Sequence, residues 1–213
     1  MANRKGRLQT LHRSNSMERP PVMGGLRIVL LGKSLSENCE VGNIMLGEAM
    51  FDSEAPPDQV QRRRRMHKTV INVPHLLQRH LSDHQITQTV RECVNLSYPG
   101  PHVVVLLLKH DQCSREDQQH VEKVLHSFSE RVYKHTMVLT TQEPDSIVSD
   151  VLKEIIKKCF NNHYNLKQSS SSAGLREKLE NFAQNNSKHY LACDEFEGSE
   201  ISRTKQVTEE GES

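Results

Sequence analysis

The chain has 213 residues and is almost electrically balanced, with 28 lysines and arginines against 27 aspartates and glutamates. This length fits one ordinary domain with tails, and the balance gives no global reason to expect binding to nucleic acid or to an anionic membrane. The longest apolar run, Val103–Leu108, has six residues, whereas a membrane-spanning helix needs about 20.

The N-terminus and the cysteines indicate the compartment. The first residues are polar and basic with no apolar segment, so no secretory signal is visible and we expect a cytoplasmic protein. The five cysteines are widely spaced and form no C-x-x-C pair. This predicts free thiols rather than a disulfide framework or a zinc site.

Short apolar runs alternate with amphipathic stretches along the chain. A disordered basic leader or linker over residues 1–25 is predicted to precede a domain over residues 26–190 and a polar tail over residues 191–213. The predicted elements of the domain are, in chain order, a strand at Leu26–Leu31, a helix from near Val41, a strand at Thr69–Val73, a helix at Gln85–Leu96, a strand at Val103–Leu108, a helix capped by Ser114, a strand at Thr136–Thr140, and helices around Val148–Cys159 and Leu175–Phe182. This order predicts an α/β fold with a mostly parallel sheet, helices on both faces, and a functional crevice at the carboxyl ends of the strands.

The segment after the first strand has the setting of a phosphate-binding loop. Such loops follow the pattern G-x-x-x-x-G-K-[ST] between a strand and a helix. Glu37, Asn38 and Cys39 stand where the second glycine, the phosphate-binding lysine and the magnesium-binding hydroxyl belong. The candidate nucleotide-binding residues are Gly32, Lys33, Ser34, Leu35, Ser36, Glu37, Asn38 and Cys39.

Several motifs resemble the GIMAP, or immune-associated nucleotide-binding (AIG-type), GTPase family. The strongest match is the long box Arg91–His102, R-E-C-V-N-L-S-Y-P-G-P-H, before the strand Val103–Leu108. Supporting matches are L-R-I-V-L-L-G-K from Leu26, V-G-N-I-M-L-G from Val41 and Y-K-H-T-M-V-L-T from Tyr133. The resemblance covers roughly Leu26 to Leu166. It implies a P-loop GTPase-like three-layer domain, binding of GTP with magnesium, and G domains that assemble with one another.

The remaining nucleotide motifs of that family are also changed. Its D-T-P-G motif corresponds to Asn72-Val73-Pro74-His75, and its switch threonine falls near Gln61, so Gln61, Asn72 and His75 are the switch-like positions. Its guanine-reading T-R-G-D corresponds to Thr141-Gln142-Glu143-Pro144, with Asp145 one residue late. We identify no catalytic residue and no protein-held metal site.

These departures lead to two hypotheses of function. Asn38 lacks the charge of a lysine, Glu37 repels phosphate, and Cys39 is a poor ligand for magnesium, so we expect weak or absent GTP and magnesium binding. The leading hypothesis is a pseudo-GTPase that associates with other GIMAP-type G domains as a homo- or hetero-oligomer. The alternative is a functional GTP-binding protein that uses Lys33, the backbone of Gly32–Cys39 and Asp145 in unorthodox roles.

A run of four arginines, Arg62, Arg63, Arg64 and Arg65, is the strongest charge cluster. It could bind phosphates of lipid or RNA, but no aromatic residue is interleaved to stack on bases. We therefore expect a solvated hairpin tip and no nucleic-acid partner.

Overall fold

A computed structural model describes residues 25–109, 113–141, 143, 148–167, 172–187 and 189–193 of the chain. Twelve elements follow one another: β1 (Leu26–Leu31), α1 (Leu35–Leu46), β2 (Gln61–Arg65), β3 (Lys68–Val73), α2 (Asp83–Leu96), β4 (Val103–Leu108), α3 (Arg115–His126), a 3-10 turn (Val132–His135), β5 (Thr136–Thr140), α4 (Asp150–Lys158), β6 (His163–Asn165) and α5 (Ser172–Asn185). The strands form one sheet in the order β2-β3-β1-β4-β5-β6. All neighbours are parallel except β2, which runs antiparallel to β3.

Apolar side chains on both faces of the sheet produce its two cores. Every residue of β4 is buried, as expected for a central strand covered on both sides. Along β1, Val29 and Leu31 pack into the core that α2, α3 and α4 cover. Ile28 and Leu30 pack into the core under α1 and α5. The alternation builds three layers, which confirms the predicted fold class.

Serine caps fix where α2, α3 and α4 start, as Ser34 does for α1. Ser82 and Ser114 each form a capping box, with Gln85 and Asp117 respectively, and Ser149 accepts a hydrogen bond from the amide of Leu152. Because a capping side chain satisfies amides that the first turn leaves without an intrahelical partner, these positions define the loops that reach the carboxyl edge of the sheet. The predicted cap at Ser114 is confirmed.

Two predictions about local structure need correction, and one strand was missed. The four arginines lie on β2, an edge strand, whereas the hairpin tip is Met66-His67. The helix expected from near Val41 begins at Leu35, because Ser34 caps it. The three-residue strand β6 was not predicted, since so short a segment carries no periodic signal.

The end of the described chain packs against the long box of the sequence. The amide of Leu191 donates to the carbonyl of Pro101 at 2.8 Å, and Leu191 and Cys193 are buried in the core on the α2 side. A β-carbon on Gly100 would lie 2.3 Å from the Leu191 carbonyl oxygen, so the chain needs glycine there. The domain boundaries at 25 and 190 stay predictions, and the packed chain continues past residue 190.

Candidate functional site

The predicted phosphate loop is largely converted into helix. After β1 only Gly32, Lys33 and Ser34 remain outside α1. The amide of Asn38 donates to the Ser34 carbonyl at 3.0 Å, and the amide of Glu37 donates to the Ser34 hydroxyl at 3.5 Å. A phosphate loop binds by directing such amides at phosphate oxygens, and here two of them are engaged within the first turn of α1.

The Asn38 side chain fills the space over Gly32. It is fully buried, and its Nδ2 donates to Asn72 Oδ1 at 2.9 Å. A β-carbon built on Gly32 would lie only 2.0 Å from Asn38 Oδ1, so the carboxamide is in close contact with the glycine backbone. The first glycine of the loop pattern therefore accommodates a side chain of this protein.

The residues at the expected magnesium position do not fit that ion. Asn72 directs its Nδ2 at the Cys39 sulfur, 3.8 Å away, and the Cys39 thiol donates to the Asp52 carbonyl at 3.5 Å. Burial, with the nearby Asp52 charge, raises the pKa of the Cys39 thiol, which keeps it protonated. The Cys39 thiol and the Asn72 carboxamide are hydrogen-bonded to each other and are both neutral, so they offer no anionic oxygen. Magnesium prefers oxygen ligands.

Gln61 and His75 each have buried side-chain polar atoms that lack a hydrogen-bond partner among the described residues. Gln61 lies opposite Asn72 in the β2–β3 register, and in the described chain neither atom of its buried carboxamide has a hydrogen-bond partner. His75 Nδ1 is likewise buried and unpaired. Burial lowers the pKa of His75 despite the opposing charge of Asp58. The structure thus brings Gln61, Asn72 and Asn38 together, while His75 takes no part in their hydrogen bonds.

Lys33 is directed away from the loop towards α3. Its Nζ lies 2.6 Å from Asp117 Oδ1, and Arg79 lies 3.6 Å from the same oxygen. Burial acts to raise the pKa of Asp117, but hydrogen bonds from Lys33 and Ser114 outweigh it and the pKa is lowered. On the other side of the loop Glu37 pairs with Lys109. Sequence reasoning missed Asp117, Arg79 and Lys109, because only the fold brings them to this edge.

A cleft of about 570 Å³ opens beside this ion pair. Its lining consists of Lys33, Leu77, Gln78, Arg79, His80 and Asp117. The cleft is adjacent to the expected phosphate position, and the Lys33–Asp117 pair forms part of its wall. The lysine that the alternative hypothesis assigns to phosphate is therefore already neutralised by a carboxylate.

The base-reading region is described only in part. Thr141 follows β5 and is half-buried, whereas Gln142 and Asp145 lie outside the described residues. At the neighbouring strand end, the buried Asn165 accepts a hydrogen bond from the amide of Lys167 at 3.1 Å. Its side-chain oxygen thereby stabilises the turn after β6.

A mostly parallel sheet with helices on both faces, whose first strand leads through a short glycine-containing loop into a helix, defines a P-loop GTPase-like G domain. Several solved structures share this fold, including the following two. One is of the chloroplast translocon components atToc33 and psToc159, with a TM-score of 0.55, 16% identity and coverage of 76% of this chain and 84% of that chain. The other is Toc33 from Arabidopsis thaliana in complex with Mg²⁺ and GMPPNP, with a TM-score of 0.50, 16% identity and coverage of 76% and 86%.

The family follows from the sequence itself. Residues 26–190 match the model of the AIG1 family, and the chain belongs to that family, as its motifs predicted. Human GTPase IMAP family member 8 is 27% identical over 144 residues, which cover 64% of this chain and 22% of that protein. Immune-associated nucleotide-binding protein 13 of Arabidopsis thaliana is 26% identical over 196 residues, covering 78% and 58%. The chain thus spans about a fifth of the length of IMAP family member 8.

The described residues contain neither a transmembrane helix nor a metal cluster. No helix in the part of the chain that the structure describes is long and apolar enough to cross a bilayer. The same residues hold no group of three or more His, Cys, Asp or Glu side chains arranged to bind a metal ion.

Proposed function

We propose that this AIG1-family G domain acts without a bound nucleotide, as a module that associates with other G domains of its family. The observation that carries the proposal is the Asn38 carboxamide, which packs on Gly32 and bonds to Asn72 where nucleotide and metal would bind. In this proposal the site is held together by the protein's own side chains.

Nucleotide binding would require this arrangement to be dismantled. The Asn38–Asn72 hydrogen bond would break in a buried place, which costs about 1–3 kcal/mol for the groups left unpaired. Lys33 would have to leave Asp117 to supply a cation. Glu37, in the first turn of α1, places a carboxylate near the incoming phosphates. These costs fall on a site that also lacks a good magnesium ligand.

The association half of the proposal draws support from G domains of the same fold. Dimerization is important for the GTPase activity of atToc33 and psToc159. A domain of this family that holds its nucleotide site closed would present a constant surface to such a partner, whatever the nucleotide level in the cell. GTP turnover by this chain itself is not part of the proposal.

Equilibrium titration of the full chain with fluorescent GTP and GDP, with and without magnesium, tests the nucleotide half. We expect no saturable binding up to about millimolar nucleotide, equivalent to a binding free energy weaker than about 4 kcal/mol. Circular dichroism verifies that the protein is folded. Saturable, magnesium-dependent binding at low micromolar concentration would instead support the alternative, a GTP-binding protein with an unorthodox phosphate loop.

A restored variant provides the matched control. It carries Glu37→Gly, Asn38→Lys, Cys39→Ser and Asn72→Asp, which together reinstate the loop pattern and the metal carboxylate. A gain in GTP affinity of tenfold or more, about 1.4 kcal/mol, would locate the defect in these residues. If the folded variant gains nothing, the defect lies elsewhere in the pocket.

Light scattering tests association. The chain is mixed with a second AIG1-family G domain loaded with a non-hydrolysable GTP analogue or with GDP, and is also measured alone. We expect a complex with the loaded G domain, or a homo-oligomer, with affinity of about micromolar. A chain that stays monomeric in every mixture would contradict the proposal, independently of the nucleotide titration.

A further inference from the structure

The arginine strand β2 forms one outer edge of the described sheet. In the β2–β3 hairpin, Arg65 pairs with Lys68 across the two-residue turn Met66-His67. Further along the strands, Arg63 pairs with Val70 and Gln61 pairs with Asn72. In an antiparallel hairpin with a two-residue turn the closing pair is hydrogen-bonded, and such pairs alternate along the strands. The amides and carbonyls of Gln61, Arg63 and Arg65 therefore face β3, and those of Arg62 and Arg64 face outward.

The arginine side chains divide in the same alternating way. Arg63 Nε donates to the Met50 carbonyl at 3.0 Å and its guanidinium lies over the Phe51 ring. Arg65 pairs with Glu48 and donates to the Leu46 carbonyl at 3.1 Å. These two arginines help to hold the edge strand against α1 and the chain after it.

Arg62 and Arg64 have the opposite character. Both side chains are exposed, and none of the ion pairs among the described residues involves either of them. Two outward-facing peptide units and two uncompensated guanidinium groups thus occupy the same stretch of edge. Arg63 Nη1 also donates to the Arg62 carbonyl oxygen at 3.1 Å. A carbonyl oxygen has two lone pairs, so the second one can still accept a hydrogen bond from a partner.

We propose that the outer edge of β2 binds an acidic, extended segment of a partner protein, which adds to the sheet as a further strand. The partner's backbone pairs with the peptide groups of Arg62 and Arg64, and its carboxylates pair with their guanidinium groups. This surface is separate from the nucleotide site and does not depend on the function proposed above.

Charge selects the kind of partner. Arginines on an edge strand oppose pairing with a second copy of the same edge, because like charges would face each other across the new ladder. The same charges attract a strand that carries Glu or Asp at alternate positions. A bilayer or a phosphate backbone would use the guanidinium groups alone and leave the outward peptide units unpaired, so an acidic peptide uses more of the observed surface.

Amide hydrogen exchange in the full chain, followed by NMR, tests the geometry directly. The probe is a synthetic peptide in which Glu alternates with Val, and its control is the same peptide, of equal charge, with every backbone amide N-methylated. We expect the first peptide to slow exchange of the Arg62 and Arg64 amides, while those of Arg63 and Arg65 remain protected as before. The N-methylated peptide has no backbone N–H to donate, so it should bind at least about tenfold more weakly.

A pair of charge reversals tests whether the partner's carboxylates pair with the guanidinium groups of Arg62 and Arg64. The variant Arg62→Glu with Arg64→Glu should lose at least about tenfold in affinity for the Glu–Val peptide, and added salt should weaken binding to the wild-type chain. The matched control Arg131→Glu with Lys157→Glu reverses the same number of exposed charges elsewhere and should bind like the wild type.

Three results would overturn the proposal. The first is absence of saturable binding to the Glu–Val peptide by the folded chain. The second is binding that leaves exchange of the Arg62 and Arg64 amides unchanged, or equal affinity for the N-methylated peptide. The third is tighter binding through Arg62 and Arg64 to phosphatidylserine vesicles or single-stranded RNA than to the peptide, which would assign the arginines to an anionic surface instead.

Discussion

Replacing Gly32 by alanine tests whether the Asn38 carboxamide occupies the phosphate position. The new β-carbon would lie 2.0 Å from Asn38 Oδ1 and 3.0 Å from Cγ, distances at which one group must move. Gly32 does not have the positive φ of the left-handed region, so alanine can adopt its backbone conformation. Any loss of stability must therefore come from the collision with Asn38.

The expected magnitude follows from what the collision disrupts. Asn38 is fully buried and has little room to rotate, so it must release Asn72. Leaving a buried donor and acceptor unpaired costs about 1–3 kcal/mol. In an Asn38→Ala background there is no carboxamide to displace, and Gly32→Ala should be neutral or stabilise by up to about 1 kcal/mol through the unfolded chain.

Urea unfolding of the wild type, the two single variants and the double variant completes the thermodynamic cycle. We expect the two substitutions to be coupled by about 1–3 kcal/mol, with the double variant more stable than the sum of the singles predicts. Effects that add within about 0.5 kcal/mol would refute the packing described here. In that case Asn38 would not occupy the space above Gly32, and that space would be open to a phosphate group.

Two further predictions concern other parts of the domain. Burial, with the charges of Arg27 and His135, lowers the pKa of His102 to about 4 from 6.5. The unfolded chain therefore binds more protons at this residue between these values, and the contribution of His102 to stability should fall by about 3 kcal/mol on acidification from pH 7 to pH 4. His102→Asn keeps an acceptor for the Arg27 amide and should flatten this part of the stability profile, and parallel profiles from urea unfolding would contradict the assignment. Met66 has φ 52° and is 75% exposed, so Met66→Gly should raise the free energy of unfolding by about 1 kcal/mol. Met66→Ala should leave it unchanged, and an equal effect of both would show that the backbone is not the cause.

The central strands could be predicted because their sequences allow few alternatives. β4 consists of six Val and Leu residues, all buried, and β1 and β5 are almost as apolar. A short run of this kind between polar segments fits a strand covered on both faces. The predicted cap at Ser114 marks a helix start by a local mechanism that a sequence shows directly, whereas the caps at Ser82 and Ser149 were not predicted.

The start of α1 and the edge strand β2 could not be predicted by the same means. A motif comparison treats residues 32–39 as one loop, whereas the capping geometry of Ser34 allows the helix to begin inside it. The Q-R-R-R-R sequence of β2 carries no apolar alternation, and its pairing with β3 comes from the hairpin. The contact between Lys33 and Asp117, 84 residues apart, depends on the completed fold.

The residues that depart from the nucleotide-binding pattern stabilise one another. Asn38 and Asn72 are both uncharged, so they share a buried hydrogen bond that a lysine and an aspartate in the same places would replace with two buried charges. Asn38→Lys alone would place an ammonium group beside a neutral amide and a thiol, a buried charge without a counterion. Asn72→Asp alone would leave a buried carboxylate beside Asn38 and Cys39. Each single reversal would report the cost of an unpaired buried charge rather than the nucleotide affinity of the pocket. The test of restored nucleotide binding therefore changes both positions together.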